Sequence, residues 1–194
     1  LTPWSEPLQV DVVDLLEQRQ SRRVFNRDMT ANELGHFLWL ACRSRTSRPG
    51  PYGFPQESRP YPSAGGMHPI HVLLARAEEC WMRYDPIEHA LIEISGSQGA
   101  ATSAREASEV VMHLDRGVLI ALAAEPGRTA AKYANADSLV WRDAGTVLGI
   151  MSIVAEALGL SFCPLGILGE SYVGAAVSGD PRIQSAGLAV LGAF

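Results

Sequence analysis

The sequence predicts an α+β fold: one domain with a central antiparallel or mixed sheet flanked by helices. Three observations predict it. Continuous apolar runs such as "GVLIALAAE" and "AGLAVLGAF" read as buried strands. Segments with helical spacing lie before, between and after these runs, without the strict alternation of a parallel α/β sheet. The 194 residues, 47% apolar, suit a single domain, residues 1–194, with a full core.

In order along the chain, residues 1–9 form an N-terminal extension. Val10 to Arg19 has helical spacing, with Val12, Val13, Leu15 and Leu16 as an apolar face. "TANELGHFLWLA" opens with Thr30 and Glu33, the signature of a capping box, and Leu34, Phe37, Leu38 and Ala41 follow on one face. Residues 43–62 are rich in Pro, Gly, Ser and Arg and read as a long loop. Ile70 to Ala75 reads as a strand, and "CWMRYDP" and "HALIEIS" as two more around a turn at Asp85-Pro86. Gly99 to Val111 is predicted helical. Leu139 to Leu160 is strongly apolar, but Arg142, Asp143 and Glu156 interrupt it, so it reads as a buried core helix and not a membrane span. Gly159 suits the position just past its end. "LSFCPLG" reads as a strand entering a tight turn, and Glu170 to Val177 as a short helix, with "AGLAVLGAF" as the final strand.

The formal charge of −5 excludes general nucleic-acid binding. More than half of the arginines nevertheless fall between Arg19 and Arg59, which points to a local anionic ligand such as a phosphate. Cys42, Cys80 and Cys163 have no metal-binding spacing, and their odd number argues against a disulfide framework. A reducing, cytoplasmic setting fits them. The start of the chain has neither the basic nor the apolar region of a signal peptide. Lys132 is the chain's single lysine. Unlike arginine, lysine can lose its proton when its surroundings shift its pKa, so it suits a catalytic amine; a stray surface lysine is the plain alternative.

Four stretches could carry chemistry. If "RQSRRVF" is extended, Arg19, Ser21, Arg23 and Phe25 share one side, and two guanidiniums with a hydroxyl make a phosphate clamp. In "RPYPSAGGMHP", Gly65 and Gly66 let a flat ligand approach the main chain, and Ser63 and His68 could hydrogen-bond a ring edge. In "AKYANAD", Lys132 and Tyr133 can act together only if they sit in a loop or at a helix entry, because adjacent residues of a helix or strand diverge. In "CPLGILG", free backbone N–H groups could donate to a cofactor. Asp143, inside an apolar helix, needs a partner; a salt bridge is expected, with Arg142 or a backbone amide supplying the contact. Cys163 is expected to be an inert core thiol. Taken singly, each stretch also fits an ordinary turn or solvated segment.

The order of these stretches resembles the nitroreductase-like FMN flavoproteins. "RPYPSAGGMHP" and the Lys-Tyr pair are most similar to SagB-type (McbC-like) thiazoline/oxazoline dehydrogenases, over about Leu15 to Leu191. The resemblance implies a nitroreductase-like fold with FMN at a homodimer interface. It implies that Arg19, Ser21 and Arg23 hold the FMN phosphate and ribityl chain. Pro62, Ser63, Ala64 and Gly65 would run along the isoalloxazine, with the backbone of Leu165, Gly166 and Ile167 facing flavin N5. Gly66 stands where many relatives carry a flavin-contacting Asn, and His68 where they carry Gln. Relatives also place a basic residue near the C-terminus on the phosphate. Here no Arg or Lys follows Arg182, so Arg182 serves, a downstream segment is missing, or FMN binds less tightly.

The activity so implied is oxidation of a peptide-borne or carrier-bound azoline to the aromatic azole. Lys132 or Tyr133 would remove the acidic ring proton, hydride would pass to flavin N5, and oxygen could reoxidise the flavin. The substrate would be a peptide, within a larger synthetase complex where one exists. Two alternatives are a general NAD(P)H-dependent nitro or quinone reductase and a flavin-free scaffold that has kept the fold.

Overall fold

The computed structural model describes residues 1–114 and 116–194. Helices α1 (Val12–Gln18) and α2 (Ala31–Cys42) lead into a small hairpin of β1 (Thr46–Arg48) and β2 (Gln56–Ser58). Strands β3 (Ile70–Ala75), β4 (Met82–Asp85) and β5 (Ala90–Glu93) follow, then α3 (Gln98–Glu109), β6 (Val118–Ala124), α4 (Pro126–Ala130) and α5 (Asp137–Ala157). The chain closes with β7 (Leu160–Pro164), α6 (Glu170–Ala176) and β8 (Gln184–Ala193). The main sheet has six strands in the order β5-β4-β3-β6-β8-β7, and every pairing is antiparallel.

Strand β6 is buried along its whole length between β3 and β8. Side chains alternate across a strand, so its residues divide between two layers. Ile120 and Leu122 join α2 and α5 in one core, with Phe37, Leu38, Val147 and Met151. Leu119, Ala121 and Ala123 join α3 and α6 in the other, with Ala104 and Val173. The result is an α+β sandwich, helices on both faces of one sheet.

Local signals hold where they are chemical. The Thr30 hydroxyl accepts from Glu33 N–H while Glu33 accepts from Thr30 N–H, completing the capping box of α2. Asp85 Oδ1 accepts from the N–H groups of Ile87 and Glu88 and so turns the chain between β4 and β5. Helix α5 ends where Gly159 takes φ +65°.

Four expectations need correction. Residues 43–62 contain the β1–β2 hairpin, whose strands are only three residues long and too polar to show a pattern. The helix α4 was not expected. The apolar face of α1 is not covered by its own chain: Val12, Val13 and Leu16 are 56–67% exposed. Helix α5 is buried on one face only, through Val140, Asp143, Ala144, Val147, Met151 and Ala155, while Trp141, Gly145 and Gly149 are exposed.

Candidate functional site

The segment Pro62–Met67 turns tightly through a 3-10 turn at Ala64–Gly66, with Gly65 at φ +59° and Gly66 at φ +70°. Asp143 fixes this turn from α5. The Ser63 hydroxyl donates to Asp143 Oδ2 at 2.6 Å, and Ala64 N–H donates to the same carboxylate. Ser63 Oγ in turn accepts from His68 N–H at 2.8 Å. The salt bridge favoured for Asp143 is not formed among the described residues; its partners are a backbone amide, the other one expected, and a hydroxyl. Ser63 is committed to its own loop, so its side chain shapes the site from behind.

Lys132 and Tyr133 lie in the turn between α4 and α5, where both of their N–H groups donate to Thr129 O. This loop position lets adjacent side chains converge. A Cβ placed on Gly65 would stand 2.6 Å from Tyr133 Oη and 2.8 Å from Lys132 Nζ. Lys132 Nζ also lies 5.6 Å from the centre of the Tyr133 ring. The glycine loop and the Lys-Tyr pair, 67 to 68 positions apart by residue number, thus form one site.

Behind the loop is a buried charge cluster that the sequence did not reveal. Glu57 on β2 accepts from Arg59 Nε at 3.0 Å and lies 3.7 Å from Arg128 on α4. Arg59 also donates to the Tyr61 hydroxyl, and Arg128 lies over the Phe54 ring. Burial holds the Tyr61 phenol up to about 12. The cluster ties the hairpin to α4 through Arg128, about one helical turn before Lys132. His68 is buried beside it, with its ring edge-on to Tyr61.

The segment "RQSRRVF" runs beside β7. Arg22 N–H donates to Phe162 O, Ser161 donates to Val24 O, and the Arg22 guanidinium binds Glu156. Arg19, Ser21 and Arg23 remain exposed, and their side chains make no hydrogen bond to another described residue, although Arg19 N–H donates to Leu15 O at the end of α1. Phe25 departs from their side and packs against Gly192. Strand β7 carries the chain into the turn at Leu165–Ile167. Leu165 N–H is taken by Leu188 O, while the N–H groups of Gly166 and Ile167 have no partner among the described residues. Cys163 is buried and free, as expected. Arg182 pairs with Asp180 and lies near Glu125, at the far end of β8 from "RQSRRVF".

The predicted residues therefore fall into two groups. Asp143 holds the glycine loop near one end of α5, and Glu156 holds Arg22 near the other. At ~1.5 Å rise per residue these anchors are roughly 20 Å apart.

Among families, the Nitroreductase family model matches residues 16–192. Among solved structures, the fold is similar to a Ralstonia eutropha JMP134 protein assigned as a nitroreductase (TM-score 0.74, 20% identity, covering 97% of this chain and 83% of that one). It is also similar to a chain of the E. coli microcin synthetase McbBCD complex with truncated pro-MccB17 bound (TM-score 0.69, 17% identity, 98% and 75% covered). A nitroreductase family protein of Clostridium difficile 630 superposes with TM-score 0.63 at 13% identity, over 95% and 84% of the two chains. No curated protein matches the sequence.

Proposed function

Because the chain belongs to the nitroreductase family, we propose that it is an FMN-dependent dehydrogenase that oxidises a peptide-borne thiazoline or oxazoline to the azole. The observation that carries this reading is the contact of Lys132 and Tyr133 with Gly65 of the "PSAGG" loop.

The residues present fit FMN. Arg19, Ser21 and Arg23 offer unpaired donors to a phosphate. Gly65 and Gly66 present backbone without side chains to a flat ring, and the Gly166 and Ile167 N–H groups are free to donate to its edge. When bound, FMN supplies the two-electron acceptor. Lys132 Nζ or Tyr133 Oη takes the acidic proton of the azoline ring. The Tyr133 ring orients the amine, and the Glu57–Arg128 contact steadies the turn that carries both.

The same geometry supports a homodimer. Loop and phosphate residues roughly 20 Å apart in one chain do not readily clasp the same flavin, whereas residues from two subunits can. The exposed apolar face of α1, with Trp141, Gly145 and Gly149 on α5, is suited to the contact. The similarity to a chain of a synthetase complex supports an azoline-bearing peptide as substrate, presented within such an assembly.

The test is the visible spectrum of the purified protein with and without added FMN, followed by turnover of a thiazoline peptide. A flavin band and azole formation support the reading. A protein that does not bind FMN overturns it in favour of a scaffold. A flavoprotein that is inert to azolines but reduced by NAD(P)H is instead a nitro or quinone reductase.

A further inference from the structure

One side chain grips the glycine loop at both ends. Arg59 Nη1 donates to the Tyr61 hydroxyl at 2.8 Å, just before Pro62, and to Ile70 O at 3.4 Å, just after Pro69. The turn that carries Lys132 and Tyr133 is held from its base on α4, where Arg128 lies one helical turn before Lys132. Glu57 joins the two arginines, one to each carboxylate oxygen. Its Oε2 lies 3.0 Å from both Nε and Nη2 of Arg59, and its Oε1 lies 3.7 Å from Arg128 Nη2. The Glu57 carbonyl is also the nearest atom to a Cβ placed on Gly66, at 4.0 Å. None of the three charged residues is more than 9% exposed. Arg128 has few other holds: its guanidinium lies over the Phe54 ring, and its Nε is a buried donor without a partner among the described residues.

A buried ion cluster adds little net stability, because the cost of desolvating the charges offsets their attraction. It does fix direction, since a planar guanidinium meets a carboxylate in a narrow range of geometries. Resting on the function proposed above, we propose that Glu57 is a positioning residue for the Lys-Tyr pair. One oxygen holds the arginine that clamps the glycine loop, and the other holds the arginine at the base of the Lys132 turn. Glu57 thereby sets the distance between Gly65 and the Nζ and Oη groups, acting through Arg59 and Arg128 and taking no proton itself. In Glu57→Gln one of the two oxygens becomes an NH2 group. A donor then faces a guanidinium on one arm, and two buried positive charges are left without a counter-charge.

Lys132 is the single lysine, so protein grown on ¹³C-labelled lysine reports on this one side chain. Wild type is expected to show a strong NOE from the Lys132 side chain to the Hα protons of Gly65, whose Cβ position lies 3.0 Å from Lys132 Cδ. Glu57→Gln is expected to abolish that NOE. Arg128→Met, which leaves Glu57 paired with Arg59, should do the same and decides the matter if Glu57→Gln does not fold. Azole formation is then expressed per bound flavin, so that unfolded protein is not counted. On that scale Glu57→Gln should lower kcat about tenfold or more with KM little changed, the signature of misplaced reacting groups. In a Lys132→Ala/Tyr133→Phe background it should leave the residual rate unchanged, because nothing remains for it to place. An NOE that survives in both variants, or an equal fall in kcat with and without the Lys-Tyr pair, overturns the assignment. A protein whose NOE is lost in the variants but whose wild type makes no azole upholds the positioning and overturns the function proposed above.

Discussion

Ser63 Oγ and Asp143 Oδ2 are 2.6 Å apart and join a surface turn to the buried face of α5. The same carboxylate accepts from Ala64 N–H, and Asp143 is only 4% exposed. Asp143→Ala strands both donors. It is expected to cost about 2–4 kcal/mol, as loss of hydrogen bonds to a buried charged group does. Asp143→Asn keeps one acceptor oxygen and should cost less. Urea unfolding of the three proteins checks the order, and equal midpoints would refute it.

Gly65 and Gly66 separate two effects of a methyl group. Both have positive φ, so Ala at either position carries the left-handed backbone cost of about 1–2 kcal/mol. Only at position 65 does the new Cβ meet Lys132 and Tyr133; at 66 the nearest atom is 4.0 Å away. Similar losses of stability are expected, with turnover falling about tenfold or more further in Gly65→Ala, because small displacements of reacting groups are costly. Equal turnover in the two variants would show that the Lys-Tyr geometry does not matter.

The contrast between these neighbours shows how much was legible in the sequence. Glycines at 65 and 66 announce a tight backbone, and the capping box of Thr30 and Glu33 announces α2, because both signals are local. The strands of the main sheet were legible from their apolar runs. The contact between Gly65 and Lys132 spans much of the chain and leaves no local trace. Glu57, Arg59 and Arg128 likewise carry no pairing signal in the sequence, because only the fold brings β2 and α4 together. The face of α1 was read correctly as apolar, but periodicity cannot say whether its own chain covers it.

Glu33 gives a pH dependence with a definite sign. The Arg27 guanidinium, assisted by Thr30, holds its carboxyl down to about 2. The folded state therefore binds this proton less readily than the unfolded chain. The stabilisation is complete above the ordinary carboxylate range and is lost as pH falls through it towards about 2. Arg27 is half exposed, so screening limits the effect to about 1 kcal/mol or less. Glu33→Gln should be less stable by that amount near neutrality, and the gap should shrink as urea midpoints are taken from about pH 6 to about pH 3. A gap that widens on acidification would reverse the assignment.

Lys132→Ala and Lys132→Arg ask whether the amine acts as a base. Arginine keeps the charge and the contact with Tyr133 but does not give up its proton. Both variants should retain FMN, and both should lower kcat for azole formation by about 10²-fold or more, the usual contribution of a general base. Full activity in Lys132→Arg would leave the residue only an electrostatic part, and full activity in Lys132→Ala would remove it from the mechanism.

The separation of the two groups along α5 makes a prediction that neither group makes alone. Suppose one flavin is held by Arg19 and Arg23 of one subunit and by the glycine loop and Lys132 of the other. An Arg19→Ala/Arg23→Ala chain and a Lys132→Ala chain are then each inactive as homodimers. Denatured together and refolded, half of the dimers are mixed, and each mixed dimer contains one site whose two halves are both intact. Activity should return to roughly a quarter of wild type, the statistical value for a two-fold dimer. If both halves of a site came from the same chain, every site in the mixture would carry a defect, and activity would stay at the level of the separate variants. Azole formation by the refolded mixture, compared with each variant refolded alone, distinguishes a shared site from an internal one.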